Sequence, residues 1–411
     1  MNDKQITSQG KVGNPRLFLW IALAVGSSCF LWALSSGQSQ RAWQAYLVNL
    51  VFWLGVCAGS VTLVAVLNMT NAGWARPLKR LAEAAAVALP ALWLLLLLLY
   101  LGHKDLYSWA VEPVHGKELW LSAGFLFGRD SLVLGSIVLV ALVLVYSSVK
   151  GDLKWMVGSG EQVQTPWRIQ VVLSPVLGVL YGLGMSLLAW DLIMSLDPHW
   201  VSTLFGAYYF MGSLYTGIAW VILLSAMLWK NGQFQGRIEA SQFHDLGKLL
   251  LAFCLVTGDF FYSQFLVIWY GNIPEETKYV ILRVRTWPWN VLAWSVLIGG
   301  FGIPFVALLS RKLKRKPRLL GSLAMLILLA MWFERFLLVA PSVNSKESLP
   351  LGILELGISL GFGGLVGLCV SWFLSRVPWL PLGDPVFRAR FPEFQRAKGT
   401  GLKAGAEASY G

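Results

Sequence analysis

Charge is scarce in this chain. Of its 411 residues only 13% are Asp, Glu, Lys or Arg, against 56% that are hydrophobic. That balance excludes an ordinary soluble domain and places the chain among polytopic helical membrane proteins. Polar stretches long enough for a separate soluble domain are also missing: outside short loops there are only residues 1–16 and the segment after Arg376. Cysteine is equally sparse. Cys29, Cys57, Cys254 and Cys369 all lie in apolar runs with no C-x-x-C pairing, which excludes a disulfide framework or thiolate metal site. C-x-x-C-H is absent, so the chain attaches no haem covalently. The four histidines, His103, His115, His199 and His244, never recur at i, i+3 or i+4, which argues against bis-histidine haem ligation. No A-x-A-like site follows the first apolar run, so residues 1–16 read as a retained lead, not a cleaved signal. The formal net charge of +12 falls in short loops without a basic face interleaved with aromatics, which excludes nucleic acid as a partner.

What the chain has is apolar length. A bilayer core takes about 20 apolar residues per helix, and ten runs qualify, near 17–36, 46–70, 78–102, 119–147, 169–194, 203–229, 246–270, 287–310, 319–340 and 351–375. The expected fold is all-α and polytopic. A segment 1–16 precedes a ten-helix membrane domain over 17–375, and residues 376–411 form a tail. Lys and Arg decide orientation. The N-terminus, the C-tail and the loops on their side hold 24 of them, the opposite loops seven (Arg41, Lys104, Lys117, Lys278, Arg283, Arg285 and Lys346), and Arg129 and Arg335 fall inside spans. Both termini are therefore expected in the cytoplasm.

Pro90, Pro175 and Pro304 lie within spans, where each frees a carbonyl one turn earlier and favours a kink. Gly357, Gly361, Gly363, Gly364 and Gly367 give the last span G-x-x-x-G spacings that permit close helix contact. Trp190, Trp200, Trp269, Tyr270, Trp287 and Trp289 cluster near span ends and read as interfacial belts.

Against this background the charges inside spans stand out, because each costs about 2.5–3.5 kcal/mol on insertion scales. Glu83 falls a turn or two inside the cytoplasmic boundary, Arg129, Asp130 and Asp259 near the middle, and Asp191, Glu334, Arg335 and Glu355 in the outer half. Such a set samples most depths of the bilayer, as a proton path needs. The plainer alternative is interhelical salt bridging. Arg129–Asp130 and Glu334–Arg335 are neighbours in sequence, about 100° apart on a helix, so each member is expected to find its partner elsewhere. Glu83 has a nearby candidate in Lys79.

The segment Ala189 to Phe210 runs a span into D-P-H-W and on into the next span. Asp197 is placed to cap the following helix and Pro198 to occupy its first turn, holding His199 and Trp200 near Asp191. A second distinctive stretch is His244-Asp-Leu-Gly-Lys248, continuing through Ser263 to Thr277. Together these segments resemble the NrfD/polysulfide-reductase-like membrane subunits of alternative complex III, the bacterial quinol:cytochrome c (or quinol:acceptor) oxidoreductase. The likeness is to the shorter F-type subunit.

The resemblance implies two four-helix bundles, roughly 46–194 and 203–340, with the first and last helices outside them. It implies a bacterial inner-membrane location. The implied partners are a larger NrfD-like membrane subunit, an iron–sulfur subunit and c-type cytochrome subunits. The chain itself is then a subunit without redox centres, metal or catalytic residues of its own. Asp259 stands where the resemblance leads one to expect an aromatic or apolar residue. Two roles follow within such a complex: a proton path through Glu83, Arg129, Asp130, Asp191, Asp259, Glu334, Arg335 and Glu355, or a quinol pocket. In the second, Asp191 and His199 accept hydroxyl protons from quinone in its reduced form, and Trp200, Tyr208 and Tyr209 line the ring site. A secondary transporter and a pure assembly scaffold are the readings outside that class.

Overall fold

The computed structural model describes residues 15–157, 164–229, 238–344 and 349–392. Residues 1–14 and the last part of the tail lie outside them. Regular structure among the described residues is helical, with ten helices long and apolar enough to cross a membrane. They are α1 (Arg16–Ser35), α2 (Ser39–Met69), α3 (Arg76–Leu106), α4 (Ala123–Val157), α5 (Gln164–Leu196), α6 (Phe205–Leu228), α7 (Ala240–Gly271), α8 (Trp289–Leu309), α9 (Pro317–Val343) and α10 (Ile353–Arg376). An even number of crossings puts the start of α1 and the end of α10 on one face, the terminal face. The other is the far face.

Helices α2 to α5 close one four-helix ring and α6 to α9 a second. The rings share a seam in which α2 packs on α6, with α5 and α9 flanking it. The seam is tight because small residues face each other. A methyl group added to Gly59 of α2 would lie 2.2 Å from the Ser213 carbonyl oxygen of α6, and one on Gly217 would lie 2.5 Å from the Gly59 carbonyl carbon. With no water to squeeze out of lipid, such backbone approach is what holds membrane helices together.

Helices α1 and α10 stand outside the rings and pack on each other. Here the glycine spacing of α10 finds its use, since a Cβ on Gly26 would sit 2.3 Å from Gly361 Cα. Cys29 of α1 lies against Gly357. A Gly357→Cys variant should therefore cross-link to Cys29 under mild oxidation. Adding Gly361→Leu should abolish that cross-link by prising α1 away, which denaturing electrophoresis of cysteine-trapped protein would reveal.

Several helix ends differ from the apolar runs that announced them. Helix α4 starts at Ala123, not 119, and continues ten residues past 147 through Lys150, Asp152 and Lys154. Hydropathy stops at the first charges, but hydrogen bonding of the helix does not, and Asp152 is paired inside the protein. Two of the three span prolines coincide with breaks in regularity. In α3 the helix stops at Ala86 and restarts at Leu89 with Pro90 in its first turn. In α8 a π-turn over Ile298–Gly302 precedes Pro304, and the Tyr215 hydroxyl donates to the loosened Gly300 carbonyl at 3.1 Å. Pro175 stays inside α5.

The segment after Arg376 is not simply a polar tail. Leu380, Leu382 and Phe387 are buried against the terminal face. A short helix, Pro385–Arg390, begins there with Asp384 as its cap, accepting from the backbone N–H groups of Val386 and Phe387. The belt reading also needs correction: Trp200 and Trp289 are almost wholly buried, whereas Trp269, Tyr270 and Trp287 are exposed as expected.

Candidate functional site

The buried charges gather in three groups instead of one continuous ladder. The first sits near the far face between α4 and α5. Arg129 grips Asp191 with two hydrogen bonds, Nε to Oδ2 at 2.6 Å and Nη2 to Oδ1 at 2.7 Å. The Trp120 ring lies 3.8 Å from the guanidinium. Asp130 is fully buried beside them with neither carboxylate oxygen hydrogen-bonded. Because α4 begins later than its apolar run, Arg129 is only six residues into the helix, about 9 Å from its start, so this pair lies in the far half and not at the centre. Just beyond α3, Tyr107 donates to the Leu192 carbonyl at 3.1 Å. Burial, reinforced by Asp130 and Asp191, pushes its phenol well above the usual range and keeps it a neutral donor.

The second group belongs to the α6–α9 ring. Tyr208 donates to Glu334 Oε1 at 2.7 Å, Arg335 Nη1 lies 3.0 Å from Glu334 Oε2, and the Arg335 guanidinium stands over the Tyr209 ring at 4.3 Å. Contrary to expectation, Glu334 and Arg335 pair with each other, because the arginine side chain is long enough to reach back. Beside Glu334 opens a cavity of about 580 Å³. Tyr208, Thr257, Asp259 and Tyr279 share its wall with aromatic side chains of α7 and α8. Asp259 is exposed at its rim. Trp200 backs the wall, stacked 3.8 Å from Tyr279.

The residues grouped for a quinol pocket thus do not converge. Tyr208 lines the cavity and Trp200 supports it from behind. Tyr209 points its hydroxyl at the Val51 carbonyl across the seam, 2.8 Å away. Asp191 belongs to the first group, and His199 is exposed in the connection. Nor does Asp197 cap the next helix. Residues 197–204 form a real connection, and α6 starts at Phe205 behind Leu204 with no side-chain cap.

The third group, at the terminal face, is the one sequence reasoning mostly missed. Glu83 does sit here, paired with Arg80 and 3.9 Å from Lys79. Arg80 also binds Asp152 of α4. Asp384, from the segment after α10, takes Arg76 and Lys79, each at 2.9 Å. Asn68 and Gln170 complete the shell, accepting from Arg76 and Lys79 at 2.7 Å. Arg76, Lys79 and Arg80 face Glu83, Asp152 and Asp384, three charges of each sign, all buried. The available signals were the basic run opening α3 and the helix-start dipeptide Asp384-Pro385.

Burial alone would raise the Asp384 carboxyl, but the Lys79 ammonium and Arg76 guanidinium reverse this and hold it below the usual carboxylate range. A lowered carboxylate adds stability that is present above the unfolded value and lost as pH falls through the folded one. The 377–392 segment should therefore stay docked from pH 8 to 5 and loosen only below about pH 4. Protease sensitivity of that segment against pH measures this. Glu355, finally, is bound up at the opposite end of α10, where Arg41 Nη2 reaches its Oε2 at 2.8 Å and the Gly352 N–H donates to it at 2.7 Å.

Among the described residues no group of three or more His, Cys, Asp or Glu is arranged to hold a metal ion. No family model matches the chain, and no curated protein matches it.

Proposed function

We propose that this chain is a membrane subunit of a quinol-oxidising respiratory complex, one that moves protons while other subunits carry electrons. The segments 189–210 and 244–277 support the complex, by their resemblance to the F-type subunit of alternative complex III. On this reading its neighbours are a longer NrfD-like subunit, an iron–sulfur subunit and c-type cytochromes in a bacterial inner membrane, and the terminal face, with most of the Lys and Arg, is cytoplasmic.

One observation carries the proton role. Between the terminal-face charges and Glu334, the two helices that meet at the seam carry buried polar side chains: Asn68, Thr62 and Ser60 on α2, and Thr216 and Ser213 on α6. Ser60 donates across to the Gly217 carbonyl at 3.2 Å, and Thr62 Oγ1 has no hydrogen-bond partner. Arg335 reaches the far end of this row, its Nη2 3.3 Å from where a Cβ on Gly212 would lie. Inside the first ring, by contrast, Leu134, Ile137, Val138, Ala141, Leu144 and Val145 of α4 put an aliphatic layer between Asp130 and Asp152. The route favoured here accordingly runs from Glu83, Asp152 and Asp384 along the seam to Glu334 and Tyr208. Arg129, Asp130 and Asp191 form a separate group near the far face. Glu355 and Asp259 are not on this route.

The test uses the whole complex, purified through this chain and reconstituted in vesicles. Thr62→Val with Thr216→Val should at least halve the protons moved per electron while quinol oxidation continues. An unchanged ratio in well-assembled complex would remove the seam from the path. Failure of the chain to bring down cytochromes at all would remove the complex.

A further inference from the structure

We infer that the cavity enclosed by α6 to α9 and the helix Pro274–Val284 is a binding site for a neutral amphiphile whose polar head donates hydrogen bonds to Glu334. The inference goes beyond the proton relay and does not depend on it.

At about 580 Å³ the space is within the range of small-molecule sites, about 300–1,000 Å³. Its walls are largely apolar and aromatic, with Tyr215, Phe261, Phe265 and Phe301 among them. The π-turn of α8 contributes Gly300 and Phe301 to the wall. Irregular backbone at membrane depth is tolerated where it lines a cavity, and π-turns recur at functional sites.

Three polar atoms on residues lining this space lack a hydrogen-bond partner: Thr257 Oγ1, Tyr279 Oη and Glu334 Oε2. Their residues are only 7%, 6% and 3% exposed. Glu334 Oε2 has the charge of Arg335 3.0 Å away but no hydrogen bond. Buried polar atoms are nearly always satisfied, so two unpartnered atoms and a carboxylate oxygen held only by an ion pair around one cavity point to an occupant that satisfies them.

The same residues define the head group. Glu334 is a carboxylate acceptor, so the head must donate. Glu334 and the rim carboxylate Asp259 both disfavour an anionic head. The cation in the wall, Arg283, is poorly placed to rescue one, because four of its five N–H groups are committed to the carbonyls of Tyr279, Leu337 and Leu338 and to the Ser342 hydroxyl. A cationic head is disfavoured in turn by Arg283 in the wall and by Arg335 beside Glu334, which leaves a hydroxyl-bearing, uncharged head on an apolar body. Its entrance suits a ligand dissolved in lipid: Leu255, Phe261, Tyr262 and Phe265 of α7 line the cavity and are exposed on the lipid-depth surface. A hydroquinone ring and a neutral glyceride both present this chemistry.

The test is photo-labelling of the full chain in lipid nanodiscs with three diazirine-tagged probes: a short-chain hydroquinone, a monoacylglycerol and a fatty acid, the last at pH 8. The hydroquinone or the monoacylglycerol should label peptides spanning 255–265 and 296–301, saturably and in competition with its untagged form. Which of the two does so identifies the source. Ala293→Trp, which fills the cavity, should cut labelling at least tenfold. The milder Thr257→Val should cut it severalfold, and it decides the matter if the larger substitution fails to fold. Labelling spread evenly over exposed faces of α1 and α4, or undiminished in Thr257→Val, would overturn the site. Equal labelling by the fatty acid would overturn the neutral head.

Discussion

Asp384→Ala should release the segment that follows α10 and destabilise the protein by about 3–5 kcal/mol, the range for removing one member of a buried ion pair. Asp384 accepts from both Arg76 and Lys79, and neither cation is accessible to solvent. Its loss leaves three buried cations against two anions, Glu83 and Asp152. Asp384→Asn separates the causes. Asparagine is as good a helix cap as aspartate, so it preserves the start of Pro385–Arg390 and removes only the charge. The expected order of stability is wild type, then Asn, then Ala. The gap between Asn and Ala should be about 0.5–2 kcal/mol, the worth of a cap. Thermal unfolding gives the order, and trypsin cleavage within 388–390 reports the release. Equal melting of all three proteins would mean that the tail docks by its apolar side chains alone.

Gly217→Ala should be as damaging, for a different reason. The added methyl would stand 2.5 Å from both the Gly59 carbonyl carbon and the Ser60 nitrogen. Backbone atoms in the middle of two helices cannot turn aside as a side chain can. Overpacking usually costs about 1–3 kcal/mol, and here the two rings must separate, so a value at or above the top of that range is expected. The Ser60–Gly217 and Tyr209–Val51 hydrogen bonds across the seam should lengthen together. Gly182→Ala is the matched control, because a Cβ there meets nothing within 4 Å. In a helix interior that change should be neutral or stabilising by up to about 1 kcal/mol. Comparable melting of the two variants would show that the seam is looser than its geometry implies.

Helix number and order were legible in the sequence because lipid imposes one strong rule, about 20 apolar residues per crossing, whereas the pairing into rings was implied only by the family resemblance. Arg129 could be marked as needing a partner for the same reason, since unpaired charge is too costly at depth. What stayed hidden was information that apolar length does not carry. Asp384 binds a side chain 308 residues earlier, and nothing local announces such a partner. Trp200 sits near a span end like a belt residue, yet Tyr279 from a short helix after α7 covers it. The cavity is written in no motif at all, because it is space left where α8 loosens into a π-turn and α7 faces outward. The expected ladder failed for a geometric reason: residues at suitable depths were on different helices facing different interiors.

The partnership of α1 with α10 has a consequence for biogenesis. Helix α1 leaves the ribosome before the other nine spans yet has its main contact on α10, and Arg76 and Lys79 meet Asp384 only after that. Nascent chains acquire structure from the N-terminus as synthesis proceeds, but here α1 must wait in the bilayer until the eight spans between it and α10 have been made. Until then an apolar helix and a cationic patch are left unattended. A chain broken off before α10 would thus carry two marks of incompleteness for the cell's degradation machinery to read.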